Sequence, residues 1–115
     1  MGVEELRGLS SVIFGNRYRL ELVAALALVK STEGVCLTRL ADSRGGLQAS
    51  VFYPSVRSLV SAGLARRVRV SGPERLVLYA RRTGPAWKGL RRMMEDLEVD
   101  INLRDVARPA GDEPS

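Results

Sequence analysis

Leu20, Val23, Ala24, Ala27 and Leu28 recur at helical spacing, and nearly every residue after Glu21 up to position 29 is apolar. The pattern predicts a central, mostly buried helix over about 17–29. Ahead of it, "LSSVIF" (9–14) is a short apolar piece stopped by "GN", and residues 1–8 read as an N-terminal arm. Behind it, "STEGV" (31–35) reads as a loop or a very short strand.

Downstream the periodicity changes twice. "LTRLADSRGG" places Leu37, Leu40 and Ala41 on one small face, a helix of barely two turns before Gly45 and Gly46 break it. Phe52, Val56 and Leu59 then form a second stripe that ends at "AGL". Two helices joined by a tight glycine-containing turn predict a helix-turn-helix. "RRVRV" and "RLVLYARR" alternate with period two around "SGPE", a turn by composition, and predict a β-hairpin. "TGPAWKGLRRMMEDLEVDI" opens with Gly84-Pro85, and its Trp87, Leu90, Met94, Leu97 and Ile101 are spaced 3, 4, 3, 4, a closing helix. Residues 99–115 read as an acidic, partly disordered tail. The expected fold is α+β, a winged helix-turn-helix with a three-helix core, a two-stranded wing and a C-terminal helix. One domain over 9–98 carries it.

Pro54 sits where an uninterrupted helix would not tolerate it. Inside a helix its missing N–H and its ring would cost roughly 3 kcal/mol. In a first turn that N–H has no intrahelical partner, so the cost largely vanishes. The regular helix is therefore expected to begin close to Pro54 and run to about residue 62. Tyr53 is expected to be biased away from helical geometry.

Composition narrows the chemistry. Cys36 is the sole cysteine and histidine is absent, so a soft-ligand metal site or a nucleophile–histidine pair has no basis, and no cofactor is implied. "RGG" at 44–46 lacks the preceding strand and following lysine of a phosphate cradle. An enzyme is not expected. The longest apolar run, 22–29, is too short to span a bilayer, and the acidic "MGVEELRGLS" start is unlike a secretion signal. The expected address is cytoplasmic.

Charge is informative by position. Residues 1–38 hold four bases and four acids, residues 39–92 hold twelve bases against Asp42 and Glu74, and residues 93–115 hold two bases against seven acids. The middle of the chain favours a polyanion, nucleic acid first. A solvated basic face is the blander alternative, and sixteen Arg against two Lys is also what codon bias would produce.

"SVFYPSVRSLVSAGLARR" resembles the recognition-helix signature of PadR-type winged-helix regulators, through Tyr53, Pro54, Val56, Leu59, Gly63 and Leu64. More loosely, "FGNRYRLELVAAL", "LTRLAD" and "SLVSAGLARR" look like the wider MarR and ArsR group. The resemblance spans about 12–92. Thr83 and Gly84 are displaced from the PadR-like pattern after the wing, and the ligand clusters of metal-sensing ArsR relatives are missing. The resemblance implies Gln48, Ser50, Tyr53 and Arg57 as candidates for base contacts in the major groove, where Arg suits guanine and Gln adenine. Stacking beneath the hairpin is the competing role for Tyr53.

Arg39, Arg44, Arg66, Arg67, Arg69, Arg75 and Arg81 are the candidates for phosphates or a narrow minor groove. Charge that protects an exposed strand edge is the alternative for the wing arginines. In the closing helix, bases precede acids, the wrong order for the macrodipole. An antiparallel copy would correct it, so Trp87, Leu90, Met94, Leu97 and Ile101 are candidates for a homodimer seam, unless they pack onto their own domain. The resulting expectation is a sequence-specific regulator that binds double-stranded DNA. A protein-interaction module on the same scaffold is the alternative, because Val51, Phe52, Tyr53 and Val60 make the recognition segment unusually apolar. No residue names an effector; an apolar cleft between the central and closing helices is a place for one.

Overall fold

The structure is a computed structural model that describes residues 1–70 and 76–111. Helix α1 runs Val3–Phe14 and α2 Arg19–Leu28. The expected N-terminal arm, residues 1–8, is helical from Val3 onward, in one helix that continues through "LSSVIF". Its buried face is Leu6, Arg7 and Ser10, two of them polar, so no apolar stripe advertised it. Glu4 and Glu5 complement the dipole at its first turn, and Gly15 ends it in the left-handed region at φ 66°. Ser10, fully buried, donates from Oγ to the Asn16 carbonyl and accepts the Leu20 N–H at 2.9 Å. That hydroxyl ties the end of α1 to the start of α2.

Every residue from Leu20 to Ala27 is buried, as the pattern predicts for a central helix. Among them is Glu21, with no exposed surface. Its carboxylate accepts from Arg7 Nε at 3.0 Å and Arg44 Nε at 2.8 Å. Arg7 Nη2 also donates to the Arg44 carbonyl at 2.9 Å, and Arg44 Nη1 to the Asp100 carbonyl at 3.0 Å. One buried charge therefore joins α1, α2, the turn after the next helix and the C-terminal segment.

Strand β1 (Glu33–Val35) leads into α3 (Leu37–Ser43). Gly45 and Gly46 then turn the chain at φ 99° and 71°, a geometry that favours glycine. A 3-10 turn, Ala49–Phe52, runs directly into α4, Tyr53–Ser61. Pro54 falls in the first turn of α4, as expected. Tyr53, expected to be biased away from helical geometry, is helical at φ −59° and ψ −43°, and its N–H donates to the Ser50 carbonyl in the 3-10 turn. At the far end, Leu64 N–H reaches the Leu59 carbonyl (2.9 Å) and Gly63 N–H the Val60 carbonyl (3.1 Å), with Gly63 at φ 75°. This is a Schellman stop.

Strands β2 (Ala65–Arg69) and β3 (Val77–Arg81) pair antiparallel, with Arg67 opposite Tyr79 and Arg69 opposite Val77. The expected "SGPE" turn and Arg75 lie outside the described residues. The hairpin belongs to a four-stranded sheet of order β2-β3-β1-β4. Gly34 permits it: a Cβ there would lie 3.0 Å from Leu78 Cβ and 3.2 Å from Ala110 Cβ.

Helix α5 (Pro85–Asp96) lies against α2, burying Trp87 and Met94. It ends before Ile101, short of the expected stripe. Glu98 adopts φ 54°, and Val99 N–H bonds the Met94 carbonyl, so a glutamate occupies a stop that usually takes glycine. The expected loose tail instead folds as α6 (Leu103–Val106) and edge strand β4 (Ala107–Pro109). Ile101 and Val106 are buried, and burying them is the reason the segment docks.

Glu21→Ala would leave two largely buried arginines facing each other, with only the exposed Glu4 near Arg7 at 3.8 Å. It should destabilise the chain by about 3–5 kcal/mol, read from urea unfolding. Glu4→Ala, whose carboxylate is exposed, should change the midpoint little.

Candidate nucleic-acid interface

Arginine placement divides into inward and outward groups. Arg44, a candidate for phosphate contact, is drawn into the Glu21 network with its side chain 11% exposed. Arg81 turns inward as well: its Nη1 donates to the carbonyls of Leu26 and Val29 and so caps the end of α2. Burial, and then the charge of Arg91, lowers its pKa from the usual arginine value. Arg66, half-buried, donates from Nη2 to the Gly111 carbonyl at 3.0 Å. These three candidates for phosphate contact are bonded within the chain. A guanidinium has five N–H donors and a long apolar stem, so backbone carbonyls at a helix end capture it readily. Sequence alone does not separate that role from phosphate binding.

The outward group is Arg39, Arg57, Arg67 and Arg69, all exposed, and no ion pair or hydrogen bond from their guanidinium groups occurs among the described residues. Arg39 stands on α3 beside Asp42, Ser43 and Asp105, in a small acidic groove apart from the others. Arg57 and Arg67 converge. Both line one cleft of about 540 Å³ between α4, the first turn of α3 and the sheet. Alternation along β2 sends Arg69 to the same side as Arg67.

Of the base-contact candidates, Gln48, Ser50 and Arg57 are exposed, and Tyr53 is 46% exposed. Tyr53 and Arg57, one turn apart, share the cleft. Ser55, between them in sequence, is buried and accepts from Arg19 Nε at 3.0 Å, which anchors the inner side of α4 to α2. Tyr79 completes the cleft opposite. It escaped the sequence reading, although the hairpin alternation puts it across from Arg67.

The dimer-seam candidates fare differently. Trp87, Met94 and Ile101 are buried in the chain's own core, and Leu90 is half-buried against it. Trp87 Nε1 donates to the Leu64 carbonyl at 2.9 Å. Leu97 is half-buried where the helix ends. Most of the stripe packs within the chain, where α5 lies against the buried helix α2. The expected cleft between the central and closing helices is occupied by this packing; the open cleft lies between α4 and the sheet.

No protein-family model matches the sequence, and no curated protein is similar to it in sequence. Among solved structures, the fold is similar to the crystal structure of the transcriptional regulator BldR from Sulfolobus solfataricus. The two share 19% identity over 89% of this chain and 76% of that one, with a TM-score of 0.51. The likeness is one of fold, which is that of an α+β winged helix-turn-helix. Among the described residues no helix is long and apolar enough to cross a membrane.

Proposed function

We infer that the protein is a transcriptional regulator that binds double-stranded DNA in a sequence-specific way. One observation carries the reading: Arg57 on the outer side of α4 and Arg67 on the wing line the same cleft, exposed and without an internal counter-charge among the described residues. Arg69 stands on the same side of β2. An unneutralised cationic surface of this kind attracts a polyanion. On this reading α4 enters the major groove, with Gln48, Ser50, Tyr53 and Arg57 reaching base edges. Arg67 and Arg69 hold phosphates, contacts that position without specifying. The likeness in fold to BldR, a transcriptional regulator, supports the same class.

Two copies on one duplex would let two wings address two half-sites. With most of the α5 stripe buried, the exposed large apolar residues outside α4 among the described residues are Met1, Val3, Val12 (84% exposed) and Ile13 (50%), the last three on α1. The exposed Val60 and Tyr53 of α4 favour a second reading, a protein-interaction module, which takes the lead if no duplex binds at low salt.

Selection from a random duplex pool should yield a consensus, with affinity falling steeply as salt rises. Arg57→Ala should relax base preference by about 1–3 kcal/mol at one position, and Arg69→Ala should weaken all sequences alike and reduce the salt slope by about one. A pool with no enriched site, or a slope unchanged by Arg69→Ala, contradicts the assignment. Sedimentation at high micromolar concentration should show a species heavier than 12.6 kDa; that mass alone removes the pairing.

A further inference from the structure

The cleft between α4 and the sheet is more than a bare basic surface. At about 540 Å³ it lies within the range of small-molecule sites, roughly 300–1,000 Å³. Its floor is apolar, with Val56 buried and Val77 half-buried. Tyr53 and Tyr79 bring two phenol rings, and Arg57 and Arg67 two guanidinium groups. No carboxylate is among the described residues that line it. An apolar floor with aromatic walls takes a flat ring, and every base offers a π-face to such walls. Two unpaired guanidinium groups suit a phosphate monoester, which carries close to two negative charges, better than a singly charged carboxylate.

We propose that this cleft binds a nucleoside 5′-monophosphate unit, with the base on the tyrosines and the apolar floor and the phosphate held by Arg57 and Arg67. The ligand is either a free mononucleotide or the 5′-phosphorylated terminal nucleotide of a strand; both present a base and a phosphate monoester. The site shares Tyr53, Arg57 and Arg67 with the surface assigned to duplex DNA. Resting on that assignment, the nucleotide and the duplex exclude one another, and each lowers the other's affinity by the same factor.

The test is a titration of the full, 15N-labelled chain with AMP, followed by amide shifts in the absence of DNA. Saturable shifts should centre on 36–38, 49–57, 67–69 and 76–79. Adenosine and inorganic phosphate should each bind at least ~10-fold more weakly, since each lacks one half of the ligand. Arg67→Gln, an exposed residue whose loss leaves the core intact, should weaken AMP by ~10-fold, as expected for a charge-assisted contact. Shifts scattered over the basic surface, or phosphate or adenosine binding as tightly as AMP, overturn the proposal.

A short 5′-phosphorylated oligo-dA strand separates the two sources. If it displaces AMP from the same residues, the unit belongs to a strand; if AMP binds and the strand does not, the ligand is the free nucleotide. Saturating AMP should also weaken binding of a selected duplex, and an unchanged duplex affinity refutes the exclusion. AMP binding without any duplex binding leaves the cleft standing and removes the DNA assignment. Duplex binding without AMP does the reverse.

Discussion

A single carboxylate, that of Glu21, holds the structure together across its elements. It is buried and accepts from two guanidinium groups, Arg7 and Arg44. A buried charge is costly unless it is paired and hydrogen-bonded, and here the pairing is what constrains the geometry. Arg7 brings α1, Arg44 brings the turn that leads to α4, and Arg44 Nη1 reaches back to the Asp100 carbonyl after α5. The Arg7 guanidinium also stands over the Tyr18 ring at 5.2 Å, a further favourable contact. These bonds tie the residue just before the Gly45–Gly46 turn, and so the approach to α4, to the core.

That constraint explains how a chain so rich in arginine yields a defined face. Arg7, Arg44, Arg66 and Arg81 are consumed internally, by a carboxylate or by backbone carbonyls. What remains outward around α4 and β2 is a small set, and Arg57 and Arg67 meet at one cleft. Formal charge along the sequence therefore overstates the size of the cationic surface but not its location. The sheet matters for the same reason. By pairing β3 with β1 and β1 with β4, it anchors the hairpin on the core side and sets where Arg67 stands relative to Arg57.

Periodicity made the architecture legible wherever burial was apolar. The central helix, the helix-turn-helix, the hairpin strands and the opening of α5 at Gly84-Pro85 all follow from apolar spacing and from glycine and proline chemistry. Helix α1 was hidden because Arg7 and Ser10 supply most of its buried face. The C-terminal β4 was hidden because three residues, Ala107–Pro109, have too short a pattern to read. Likewise Glu98 gave no warning that it would occupy a left-handed stop and end α5 early. The α5 stripe was visible but its partner was not: spacing marks a helix face as buried without saying whether the neighbour is α2 or another copy. Site residues on α4 and β2 could be read from alternation, whereas the inward turn of Arg44 and Arg81 depends on acceptors distant in sequence.

The central claim is that one outward arginine group meets DNA while the other arginines do not. Its most direct measurement is chemical modification of arginines by a dicarbonyl reagent, with and without a selected duplex, read by peptide mass spectrometry. Arg57, Arg67 and Arg69 should be protected by the duplex, and the exposed Arg92 and Arg104 should react at the same rate in both samples. Protection of the α5 and α6 arginines instead, or equal protection of every exposed arginine, would contradict the account.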